Sequence, residues 1–184
     1  GTDSETIENR RVNDNSTTVH GNMEGSVIVV KRRATLDGLT VSNGEETSAA
    51  GIRAEHADLT ISNCRVVENG SFDSTSVGGG IYANVCKLIV HHCCFHNNKS
   101  NKTAGAILLA SSIGEISDCV FSSNSCGYLG GAIYSTKSTF TIQRCVFSSN
   151  IMNPNEPPGT PVMLYGGAIY STRSAGVIEN SIFD

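Results

Sequence analysis

No tryptophan occurs in this 184-residue chain, aromatic residues make up only 6%, and charged side chains only 16%. So low a charge excludes a polyampholyte or a coiled coil, whose exposed faces are rich in Lys and Glu. No apolar run approaches the ~18–20 residues of a membrane helix, so membrane insertion by this segment is not expected. The 13 Lys and Arg are scattered and outnumbered by 17 Asp and Glu, for a net charge of −4. A nucleic-acid surface needs a clustered basic footprint, so no nucleic-acid partner is expected either. The opening residues Gly1-Thr2-Asp3-Ser4 carry no signal-peptide pattern, which fits a processed chain or a piece of a longer one.

What the chain does have is glycine and cysteine. Nineteen Gly with few aromatics fit many short strands joined by tight turns. Seven Cys is an odd count, so at least one thiol is unpaired within the chain.

The informative feature is self-similarity. Gly-Gly-Ala-Ile ends at Ile133 and again at Ile169, with variants ending at Ile52, Ile81 and Ile107. Taking that Ile as origin, an aliphatic residue follows nine positions later: Ile61, Val90, Ile116, Ile142, Ile178. Twelve later come Cys64, Cys93, Cys119, Cys145 and Ser181; fourteen later come Val66, Phe95, Phe121, Phe147 and Phe183. Seventeen later come Asn69, Asn98, Asn124 and Asn150. An earlier, degenerate copy fits with Val27 as origin, followed by Leu36, Leu39, Val41 and Gly44. Origins lie 25, 29, 26, 26 and 36 residues apart, and all the length variation falls after the Asn position.

A fixed period of this size means a solenoid, propeller or array. Apolar residues alternate at period two (Phe140, Ile142; Cys145, Phe147), which is strand periodicity. Each repeat is too short for a four-stranded propeller blade. The expected fold is all-β: a right-handed parallel β-helix of about six rungs, with the hand taken from the usual sense of parallel crossovers. At the strand spacing of ~4.8 Å, six rungs make a rod roughly 29 Å long. The Ile, Cys and Phe columns should point inward, and the Asn column should hydrogen-bond at a sharp turn. Residues 1–24 lie outside the repeat as an arm or cap. Residues 25–184 form the rungs, left open at the C-terminal end.

With those residues laid out, the chain resembles the polymorphic outer membrane proteins of chlamydial type, whose passenger domains repeat Gly-Gly-Ala-Ile and Phe-x-x-Asn. Here the second motif reads Phe95-His-Asn-Asn98, Phe121-Ser-Ser-Asn124 and Phe147-Ser-Ser-Asn150. The resemblance covers about Gly25 to Asp184. It implies a β-helical surface protein, often an adhesin. The early repeats depart from it by lacking Phe, and no translocator-barrel segment is present, so autotransport is not implied. A broader likeness is to pectin-lyase-like β-helix proteins, carried by Asp37-Gly-Leu-Thr-Val-Ser-Asn-Gly44; it supports the fold and transfers no catalytic residue.

Candidate chemistry is sparse. The inward Cys64, Cys93, Cys119 and Cys145 read as small apolar filler, against the alternative of a metal or redox stack. Cys86, Cys94 and Cys126 lie off that column, with pairing open. In the run His91-His92-Cys93-Cys94-Phe95-His96, the side chains His91, Cys94 and His96 are the candidate metal ligands; neighbouring strand positions diverge, and no cofactor is expected. The best acid/base set places Asp118, Arg144 and Glu179 at outward strand positions on adjacent rungs, without the paired acids of a glycosidase. An outward column of Arg53, Tyr82, Leu108, Tyr134 and Tyr170, and another of Arg65, Cys94, Val120, Val146 and Ile182, are candidate binding stripes. Flat Tyr faces suit sugar rings, or the rings simply stack across rungs.

The variable loops 45–50, 70–79, 99–105, 125–130 and 151–166 should emerge at one corner, where solenoids commonly build binding faces. The prolines of Asn153-Pro-Asn-Glu-Pro-Pro-Gly-Thr-Pro161 should hold the longest one extended. Asn15 and Asn101 head exposed glycosylation sequons, whereas Asn69 and Asn98 match the pattern at inward positions.

Three functions follow. The first is an extracellular or cell-surface scaffold of adhesin type, without catalysis, whose partner is a host-cell or matrix protein or a carbohydrate. The second is a head-to-tail filament subunit, suggested by the open end. The third is a polysaccharide lyase or hydrolase, suggested by superfamily likeness alone.

Overall fold

The computed structural model describes residues 17–46, 49–71, 76–153 and 165–184. It is a parallel β-helix with four faces. Face one stacks Ile28–Val30, Ile52–Glu55, Ile81–Asn84, Ile107–Ala110, Ile133–Thr136 and Ile169–Thr172. Face two stacks Ala34–Asp37, Leu59–Ser62, Lys87–His91, Ile113–Ser117, Thr139–Gln143 and Ala175–Glu179. Face three holds seven strands: Thr17–His20, Leu39–Ser42, Arg65–Val67, Cys94–His96, Val120–Ser122, Val146–Ser148 and Ile182–Phe183. Face four stacks the two-residue strands Gly70–Ser71, Lys99–Ser100, Ser125–Cys126 and Ile151–Met152. No helix among the described residues is long and apolar enough to cross a membrane.

Strands pair without slip, so like residues stack. Ile81 lies on Ile107, Ile107 on Ile133, and Ile133 on Ile169. Phe95, Phe121, Phe147 and Phe183 form one stack of near-parallel rings, with centroids 4.7–4.8 Å apart. The Asn column is a continuous network. Each Nδ2 donates to the next Oδ1 at 3.0 Å, from Asn69 through Asn98 and Asn124 to Asn150. The same Oδ1 accepts the backbone N–H of the preceding rung's Asn, and the Nδ2 reaches back to a strand carbonyl, as Asn98 does to Val66 O.

Small residues precede the face-one Ile because backbones approach closely there. A Cβ on Gly131 would collide with the carbonyl oxygen of Gly167, and Gly130 sits at φ +69°. On face two the core is filled by compensation: the ring of Phe140 occupies the space a side chain on Gly176 would need.

Three expectations change. The first rung's face-one origin is Ile28, paired with Ile52, rather than Val27. Ile28 and Leu36 lie eight residues apart, against nine for Ile52 and Ile61, and the pairing of Leu36 with Ile61 restores the common phase. Thr17–His20, within the expected arm, adds a strand to face three, with Val19 on Val41. The variable loops begin as ordered structure, because face four follows the Asn corner directly. They also end in register, through the bridges Val77–Thr103, Thr103–Leu129 and Leu129–Tyr165. Most of the proline-rich segment lies outside the described residues. The last described rung has none beyond it, so Ile178 and Phe183 are 44% and 52% exposed, whereas their counterparts below are buried.

Replacing Asn98 by Ala strips partners from a backbone carbonyl, a backbone N–H and two neighbouring amides. Chemical denaturation should show a loss of about 3 kcal/mol. A loss within error would mean that the Asn column does not hold the corner.

Candidate functional site

Corners, not strands, carry the polar chemistry. The rungs turn through residues held at positive φ: His56, Val85, Ser111, Lys137 and Arg173 between faces one and two in every rung but the first; Gly38, Asn63, His92, Asp118, Arg144 and Asn180 between faces two and three; Asn43, Glu68, Asn97, Ser123 and Ser149 between faces three and four. This left-handed conformation costs a non-glycine residue roughly 1–2 kcal/mol.

From the third rung on, the residue after these corners is a small polar or amide side chain that braces most of them. Ser112, Ser138 and Ser174 donate to the carbonyl two residues back, while each hydroxyl accepts the N–H of the rung below. The cysteines do the same at the next corner. Cys64, Cys93, Cys119 and Cys145 each donate Sγ–H to the carbonyl two residues back at 3.0–3.3 Å. Cys64 Sγ and Cys93 Sγ also accept the N–H of Leu39 and Cys64. Ser181 takes the same two bonds in that column, so hydroxyl and thiol are interchangeable there. The cysteines are hydrogen-bonding braces as well as filler. Cys86 belongs to the serine column, and Cys126 stacks between Ser100 and Met152 on face four. All seven thiols are free.

The candidate acid/base set lies along the corner between faces two and three. Asp118 and Arg144 are corner residues rather than outward strand positions, because the chain turns there at positive φ. The structure brings those two together: Arg144 Nε and Nη2 donate to the two oxygens of Asp118, each at 2.7 Å. This grip holds the Asp118 carboxyl down at about 2, well below the ordinary 3.8. Glu179 stands apart from the pair, on the strand, and accepts from Gln143 Nε2 at 3.0 Å.

Of the candidate metal ligands, His91 ends a face-two strand, while Cys94 and His96 lie around the corner on face three. His96 Nδ1 is 2.9 Å from Ser122 Oγ, and His91 Nδ1 is instead 3.2 Å from Nδ1 of His92. No three metal-type side chains converge among the described residues.

The tyrosine stripe is in register but broken. Leu108, between Tyr82 and Tyr134, is buried because the chain at Gly78 lies over it. Tyr134 stacks on Tyr170, and Tyr165 also stacks on Tyr170, so these rings cover one another. Val120, Val146 and Ile182 are in register on face three, with Val120 and Ile182 exposed. Asn15 lies outside the described residues. Asn101 is half-buried and the hydroxyl-bearing Thr103 of its sequon is buried; Asn69 and Asn98 are fully buried.

A groove missed by sequence reasoning runs lengthwise between faces three and four. Its main part, about 520 Å³, is lined by Asn97, Lys99, Ser123, Ser125, Ser149 and Asn153 among others. It continues past Asn97 and Lys99 into a smaller hollow reaching Asn43, Glu45 and Glu68. Part of the signal was in the sequence: the position before the Asn column is polar in every rung (Glu68, Asn97, Ser123, Ser149), and the position after it in two of them (Lys99, Ser125).

Two measurements follow. Burial raises the thiols of Cys94 and Cys126, the latter to about 11, yet Cys94 alone is not fully buried. A chromogenic disulfide reagent should therefore label Cys94 slowly in the native protein and all seven thiols after denaturation; fast labelling of several would contradict the buried columns. The depressed Asp118 acidity means its ion pair supports folding above the ordinary carboxylate range and is lost as pH falls through about 2. In Arg144→Gln, NMR titration should find Asp118 back near its ordinary value, and unfolding below pH ~4 should come earlier than in the parent.

Neither curated proteins nor solved structures provide a match to the chain. The family described as "right handed beta helix region" matches residues 2–183, nearly the whole length. The coil is accordingly right-handed, and the chain belongs to the right-handed β-helix family.

Proposed function

We propose that this β-helix is a non-catalytic binding scaffold of the extracellular or cell-surface kind, adhesin-like, which holds an extended carbohydrate along the groove between faces three and four. The observation that carries the reading is the groove itself. It crosses successive rungs parallel to the rod axis; Asn97, Ser123, Ser125, Ser149 and Asn153 line its larger part beside Ile151, Glu45 and Glu68 line its smaller part, and Lys99 belongs to both. The column Asn97, Ser123, Ser149 repeats a polar side chain at the rung spacing of ~4.8 Å, about the length of one sugar with its linking oxygen, so a linear glycan meets a hydrogen-bonding group at each of these steps. The exposed Ile151 offers an apolar patch for a ring face.

Two observations favour binding over turnover. Asp118, the most perturbed carboxylate of the candidate acid/base set, is neutralised by Arg144 and remains ionised far below neutral pH, unsuited to proton donation. Its would-be partner Glu179 is tied to Gln143. The Gly-Gly-Ala-Ile and Phe-x-x-Asn likeness to chlamydial-type surface passengers points the same way. The free cysteines carry no information on compartment, since corner bracing accounts for their column.

The test is a binding screen on a panel of linear polysaccharides and matrix glycans, with product release followed in parallel and with Ca²⁺ present or absent. Binding without product is expected, weakened about tenfold or more by Ser125→Trp, which fills the groove. Turnover abolished by Asp118→Asn or Glu179→Gln would replace this reading with the enzyme one. Binding indifferent to Ser125→Trp would move the ligand off the groove.

A further inference from the structure

The corner between faces two and three holds one arrangement that its own repeats do not share. Its two columns read Ser62 and Asn63, His91 and His92, Ser117 and Asp118, Gln143 and Arg144. Only one rung sets two imidazoles side by side.

In an extended strand, adjacent side chains point to opposite faces and cannot chelate together. His91 is the last residue of its strand, but His92 is the corner residue, at φ +53°. The left-handed turn swings the second ring back toward the first. The rings meet edge to face, 82° apart, with the two Nδ1 atoms 3.2 Å from each other. A tetrahedral zinc ion bonded to two imidazole nitrogens at ~2.0–2.1 Å requires them about 3.3 Å apart. The nitrogens already face each other across a hydrogen bond at that separation, and a turn of each ring, with the backbone as it stands, aims both lone pairs at one ion in place of the shared proton.

The geometry points to a two-histidine chelate, His91 Nδ1 with His92 Nδ1, for a zinc-class divalent ion. Imidazole nitrogen is the ligand type such ions select. Neither ring is fully buried, so solvent fills the remaining coordination positions. The surrounding charge permits a cation: the Arg144 guanidinium, two rungs on, is matched by Asp118 between it and His92. The other imidazole and the two thiols of the run take no part: Cys93 is buried, with its Sγ–H on the His91 carbonyl. His96 faces Ser122, and Cys94 lies around the corner on face three.

The chelate makes a specific forecast. Zinc titrated into the reduced full chain, followed by calorimetry and by the histidine ring signals in NMR, should bind at one ion per chain and shift His91 and His92. His91→Ser and His92→Asn should each weaken binding about tenfold or more, the loss expected when a bidentate site keeps one ligand. Both substitutes are residues that other rungs carry in the same columns (Ser62 and Ser117; Asn63 and Asn180), and Asn tolerates the left-handed corner. The metal-free thermal midpoints should therefore stay close to the parent's. His96→Ala and Cys94→Ser should bind as the parent does. Equal zinc affinity in His92→Asn and the parent, loss of binding in Cys94→Ser, or no ring shift on adding zinc would each overturn the assignment.

Discussion

The structure depends on how a chain turns a corner inside a stack. A parallel coil must bend several times per rung, and each bend takes one residue out of the strand conformation and its backbone groups out of the ladder. Here the solution is the same at three corners: a residue at positive φ, then a small or amide side chain that turns inward and pairs the freed groups with the rung below. Serine serves at one corner, cysteine or serine at the next, asparagine at the third. Because the brace bonds to the adjacent rung, it fixes register as well as direction. The Phe and Ile columns then stack because the corners align them.

This explains which parts of the molecule were legible in the sequence. The Ile, Cys, Phe and Asn columns stood out because each is a repeated side chain at fixed spacing, and all of them lie where the repeat placed them. The corners were hidden because positive φ is carried here by His92, Asp118, Arg144 and even the β-branched Val85, rather than by glycine. Missing them put Asp118 and Arg144 on a strand and left His91 and His92 as successive strand positions, which diverge. Face four was hidden because a two-residue strand has no periodicity to detect. Leu108 was read as exposed because its cover comes from the chain at Gly78, distant in sequence.

The candidate site was the least legible part for the same reason. Binding surfaces of a solenoid form between columns, from side chains that need share nothing but a position. Asn97, Lys99, Ser123 and Ser125 make a groove only because faces three and four meet at an angle beside the Asn corner. The tyrosines, which looked like a platform, spend their faces on each other.

The direction of the hydrogen bonds has a mechanical consequence. In every sheet they join one rung to the next, so they lie along the rod. A pull on the two ends would load only the outermost set of bonds at a time, as in opening a zipper. The rod would then yield by peeling off single coils, each releasing some 26 residues, or roughly 90 Å of extended chain, while the coils still wound kept their shape.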